Sequence, residues 1–180
     1  MFNYKMHIRN TLTEYGLISK ILHWISAILL LIQIPLGFYL VDLDFGPERI
    51  SLENIHIILG LSIFYLVVIR LINKILNPTP KLDSSIFKGQ KFLAKLNHLL
   101  LYVSILLITV SGILKKLFNG ETLIIFFKKI NINENFELAD QFYEIHVISN
   151  YLLIGLIIVH ILAVISHKLF FNDNILKKIL

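Results

Sequence analysis

Four stretches of this 180-residue chain contain no Asp, Glu, Lys or Arg: 21–41, 54–69, 96–114 and 145–167. Within a bilayer every backbone polar group must be satisfied inside the segment, so long charge-free runs fold as membrane helices. Three of the four runs hold 19 to 23 residues, enough to cross a hydrocarbon core of roughly 30 Å. The run 54–69 has 16, and reaches spanning length when Arg70 extends its aliphatic stem through the apolar zone to the interface. The expected fold is therefore all-α: one integral membrane four-helix bundle over residues 1–180, with helices at about 18–41, 51–74, 92–114 and 142–167. A hydrophobic content of 56% agrees with that class and not with an ordinary soluble domain. The first run is too long for the core of a cleaved signal and has no small-x-small site after it, so it reads as a retained helix.

Charge gives the expected orientation. Segments 1–20, 70–95 and 168–180 carry 12 Lys and Arg against three acids, Glu14, Asp83 and Asp173. The connections 42–53 and 115–144 carry five basic residues against nine acidic ones. Lys and Arg are retained on the cytoplasmic side, so both termini are expected there. The +5 net charge then reports topology, and no nucleic-acid partner is needed to explain it.

Histidines supply the chemistry. His146 and His160 are fourteen residues apart in the fourth run. Fourteen residues turn a helix by about 1400°, close to four full turns, and advance it by roughly 21 Å, so both imidazoles share one face. In an antiparallel bundle, position along each helix becomes depth. His23 in helix one and His160 in helix four fall at the inner level, and His56 in helix two and His146 at the outer level. One buried histidine reads equally well as a neutral imidazole hydrogen-bonded between helices. Four that pair by depth and face read as axial ligands of two stacked haems, His23 with His160 and His56 with His146. Zinc would need about four ligands converging on one point. The chain has no cysteine, which excludes the C-x-x-C-H attachment, so the haems would be non-covalent and b-type. With both axial positions filled, the expected chemistry is one-electron transfer.

Other residues are placed around these levels. Arg70 repeats the fourteen-residue spacing from His56 and would face an inner haem propionate, or else snorkel at a helix end. His98 shares the inner level as an alternative ligand, a propionate contact or a proton relay, and His167 lies nearer the water. Gly60, one turn past His56, leaves room for a porphyrin or for close helix packing. Trp24 suits the interfacial aromatic belt, and Pro35 and Gly37 would kink or loosen helix one. The segment LIIFFKKI at 123–130 is expected to form a short amphipathic helix in the outer interface.

The fragments HW at 23–24, IHIILGLSIFYLVVIRL at 55–71, NPTP at 77–80, NHLLLY at 97–102, EIH at 144–146, VH at 159–160 and HKLFFNDN from 167 together resemble the bacterial cytochrome b561 family. The resemblance runs from about residue 18 to 178 and rests on the set of spacings. It implies a small di-haem b inner-membrane cytochrome whose haems are held by His23, His160, His56 and His146 and which exchanges electrons with ubiquinone. It further implies a possible superoxide:ubiquinone oxidoreductase, taking electrons from superoxide at the periplasmic face. Lys115, Lys116, Lys128 and Lys129 could attract that anion, although nine acids share the same connections. Two other readings stand beside it: a cytochrome b anchor subunit serving a periplasmic donor in a larger dehydrogenase or hydrogenase complex, and a haem-free transporter whose histidines line a polar path.

Overall fold

The computed structural model describes residues 7–80, 88–170 and 175–180. Lys5, Lys81, Asp83 and Asp173, which enter the charge balance above, lie outside them. Four long helices form the bundle: α1 (Leu17–Asp42), α2 (Pro47–Leu76), α3 (Lys88–Phe118) and α4 (Phe136–Phe170). Each is long and apolar enough to cross a membrane. The all-α four-helix expectation holds.

The helices extend past the apolar runs, because a helix propagates into polar flanking sequence once its apolar stretch is formed. The fourth begins at Phe136, about six residues before the expected start. Local chemistry sets the ends. Pro47 occupies the first turn of α2, where its missing N–H costs nothing. The same helix stops at Asn77, whose extended backbone is what a following proline favours. Lys115 and Lys116 close α3, and His167 and Lys168 close α4, where positive charge suits the helix dipole. Pro35 is carried inside α1 without ending it.

The bundle packs as two pairs, α1 with α2 and α3 with α4, joined through α2 and α3. Its central core is Ile63, Val67, Ile105 and Leu153, flanked by Leu29, Leu30 and Ile34 of α1. Ile63 lies seven residues after His56 and seven before Arg70, and Leu153 lies midway between His146 and His160. Both are fully buried, so an apolar layer separates the two histidine levels. Small polar residues mark close helix approaches: Ser26, Ser104, Ser111 and Ser149 are each at most 2% exposed. Ser26 satisfies its hydroxyl by donating to Leu22 O at 2.7 Å. Leu31 and Ile75 are largely exposed, as side chains facing lipid are.

The expected interfacial helix at 123–130 is not formed. Residues Leu123–Ile125 (β1) and Lys128–Ile130 (β2) pair antiparallel, Leu123 against Ile130, around a two-residue turn. Phe126 and Phe127 make that turn with φ of 48° and 64°, the left-handed conformation that a tight hairpin turn requires. The chain reverses toward it through Gly120, φ 81°, with Gly120 N–H donating to Leu117 O and Glu121 N–H to Lys116 O. This is the left-handed cap that ends a helix while satisfying its last carbonyls. The hairpin wins because alternate residues Leu123 and Ile125 bury against Leu117, Ile57, Leu61 and Ile113. An interfacial helix would not direct both into that groove.

Candidate functional site

The end of the bundle that carries the α1–α2 connection and the hairpin is called outer, after the orientation that the charges imply. At this end His56 of α2 and His146 of α4 face each other with ring centroids 6.3 Å apart and planes at 67°. Imidazoles presented from two helices at one level are the donor set that a b-type haem iron would take. Among the described residues no three His, Asp or Glu converge into a metal cage. Porphyrin iron brings four nitrogens of its own, so a facing pair suffices.

The surroundings hold these rings. His146 Nδ1–H donates to Ile108 O at 2.7 Å, which leaves Nε2 as the lone-pair nitrogen. His56 Nδ1 is buried with no partner among the described residues. Gln33 donates from Nε2 to His56 O at 2.9 Å, tying α1 to α2 at this level. Two glycines make room for the imidazoles. A Cβ on Gly112 would lie 3.0 Å from His146 Cε1 and Nδ1, and one on Gly37 would lie 3.2 Å from His56 Cε1. Gly60 instead faces the Gln33 amide, where a Cβ would make an ordinary contact at 3.4 Å. One turn farther out, Lys116 pairs with Glu53 at 2.8 Å and with Glu121, while Lys115 stands 3.9 Å from Glu53. Lys115 is also within electrostatic range of both His56 and His146.

The inner level gathers three histidines and an arginine. His23 lies within electrostatic range of Arg70, His160 and His98. His98 and His160 are in edge contact, ring centroids 5.1 Å apart. His98 Nδ1–H donates to Ala94 O at 2.7 Å. The Arg70 guanidinium donates from Nη2 to His23 Nδ1 at 3.2 Å and lies 5.4 Å from the centre of the Tyr102 ring. Asn73 Nδ2 donates to Ser19 Oγ at 2.8 Å, tying α2 to α1 one turn closer to the termini. The structure therefore brings Arg70, His98, His23 and His160 together as the depth argument expected, and adds that His98 is in ring contact with His160. The sequence did not single out Gln33 or Gly112, and took Gly37 only as a loosening residue. A small residue level with a histidine on a neighbouring helix is the signal that would have found both glycines.

Two histidine levels on facing membrane helices, separated by an apolar layer, suit a membrane cytochrome. The sequence model of one family, prokaryotic cytochrome b561, matches residues 14–180. The chain belongs to the prokaryotic cytochrome b561 family. A curated relative, cytochrome b561 homolog 2 of Escherichia coli (strain K12), is 29% identical over 122 residues, 67% of this chain. The chain spans 65% of the length of that relative. As a cytochrome b561 family member with four spanning helices, it is a multi-pass bacterial membrane protein, and the family implies b-type haem and membrane electron transfer. The partly covered, facing imidazoles are chemically suited to such a haem.

Proposed function

We propose that this cytochrome b561 carries two non-covalent b-type haems and passes electrons across the membrane to the quinone pool. His56 and His146 are the proposed ligands of the outer haem iron, and His23 and His160 those of the inner. The observation that carries this reading is the facing of the His56 and His146 rings, 6.3 Å apart. When bound, such haems supply one-electron redox steps whose potentials respond to nearby charge and burial. The protein's part is to fix ligands and charges. Ile108 O orients His146, Gly37 and Gly112 leave space for the rings, and the Ile63–Leu153 layer keeps water from the centre. Arg70 is the proposed partner of an inner propionate, releasing His23 Nδ1 as it turns.

The donor proposed at the periplasmic face is superoxide, with ubiquinone as acceptor. Each superoxide gives up one electron and leaves as oxygen, and two electrons with two protons convert ubiquinone to ubiquinol. Lys115 supports this reading because its positive charge lies in range of both outer histidines. The test is the reduced-minus-oxidised spectrum of the purified protein with haem measured per chain, followed by rapid mixing with superoxide and ubiquinone. Two low-spin b haems per chain and reduction by superoxide alone are expected. A colourless protein after haem-replete expression would overturn the haem reading. Reduction only in the presence of a second protein would favour the anchor-subunit alternative.

A further inference from the structure

The hairpin between α3 and α4 belongs, by sequence and charge, to an aqueous connection, yet from the outer end it folds back along α2. Glu53, bonded to Lys116, marks the outer polar rim. Beyond it along α2, Ile57 and Leu61 pack against Leu123 and Ile125 of the hairpin. At the tip, the Phe126 ring lies 5.2 Å from the ring of Tyr65 and 6.4 Å from that of Phe64. Leu61 and Tyr65 follow Glu53 by eight and twelve residues, roughly 12 and 18 Å along the helix at about 1.5 Å per residue. The tip therefore folds back along α2 toward these side chains, which lean outward from their Cα positions as helix side chains do.

Its chemistry matches that placement. An apolar surrounding rewards each backbone donor that finds a partner, and the Phe126 N–H donates to Tyr65 Oη at 2.9 Å. The left-handed conformation at Phe126 and Phe127 favours Asn or Gly, so a Phe-Phe turn gives up local backbone preference for apolar side chains. Among the described residues these side chains have little cover: Phe127 is fully exposed, and Phe126 and Ile124 are 60% and 59% exposed. Lys128 and Lys129 follow on the returning strand, paired with Ile125 and Ile124, from where their stems can reach outward to the headgroups.

We propose that residues 123–130 form a re-entrant hairpin whose Phe126–Phe127 tip is solvated by acyl chains of the outer leaflet and held there by Tyr65. It follows that Lys128 and Lys129 meet lipid headgroups and do not steer an anion toward the outer histidines, leaving Lys115 for that role.

The chain has no cysteine, so single labels are clean. Phe127→Cys, Leu31→Cys and Phe45→Cys, each in the full chain with a nitroxide label in phospholipid vesicles, give relaxation by oxygen and by a water-soluble nickel chelate. Leu31, mid-α1 and 72% exposed, is the hydrocarbon reference, and Phe45, in the α1–α2 connection and 85% exposed, is the aqueous one. The expected oxygen-to-nickel ratio at residue 127 is closer to that at residue 31. A ratio closer to that at residue 45 would overturn the proposal, and so would low accessibility to both relaxants, the mark of protein cover. In a Tyr65→Phe background the ratio should fall toward the aqueous value, and an unchanged ratio would overturn the holding role of Tyr65. Neither result depends on haem content.

Discussion

Gly112→Ala offers a test of the outer site that touches no proposed ligand. The added Cβ would lie 3.0 Å from His146 Cε1 and Nδ1, several tenths of an ångström inside ordinary contact. The ring must give way, and its freedom is limited because Nδ1–H is bonded to Ile108 O at 2.7 Å. Overpacking of this kind costs about 1–3 kcal/mol. Weakening the hydrogen bond adds about 0.5–1.5 kcal/mol. The haem-free protein can relieve part of this by turning the His146 ring, and a ring held by the proposed iron cannot, so that part falls on haem binding. The expected loss of outer-haem affinity is roughly 2–4 kcal/mol, or about 30- to 1000-fold. The assay is titration of haem into the apoprotein, followed by absorbance and by haem per chain. Gly155→Ala is the control: it lies in α4 but a Cβ there meets nothing within 4 Å, so it should leave both haems in place and help the helix by about 1 kcal/mol. Unchanged affinity at both sites in Gly112→Ala would refute the reasoning that His146 holds iron in this geometry.

Further outcomes follow from the same geometry. His160→Ala should leave one haem per chain with the outer spectrum intact, whereas His98→Ala should keep both. Retention of both haems in His160→Ala would refute the inner pair and promote His98, its ring neighbour. Arg70→Gln removes a positive charge beside His23 and should lower the inner midpoint potential by roughly 30–60 mV, a three- to tenfold shift in equilibrium; an unchanged potential in a redox titration would exclude Arg70 from the haem's surroundings. Lys116→Met leaves Glu53 without its close partner and should lower stability by about 1–3 kcal/mol in thermal unfolding, with much of the loss recovered in the double variant with Glu53→Gln.

The sequence by itself determined the four helices, because a charge-free run and the need to satisfy backbone groups in hydrocarbon are properties of a single segment. It also determined the two histidine levels. A fourteen-residue spacing converts directly into one face and a fixed rise, as in His146 and His160 or His56 and Arg70. Tertiary structure decided what depends on neighbours. LIIFFKKI is an apolar-basic string that reads as an interfacial helix, and it became a hairpin because α2 and α3 offer a groove for Leu123 and Ile125 and a phenol for the Phe126 N–H. Depth counting placed His23, His98 and His160 together but could not rank distances among them, since helix rotation and tilt are set by packing at Ser104, Ser149 and the Ile63–Leu153 layer. Gly112 was unmarked in its own helix and acquires its role only because His146 stands against it. A residue's helix and level are written locally, whereas the atom it touches is fixed by the partner helices that pack around it.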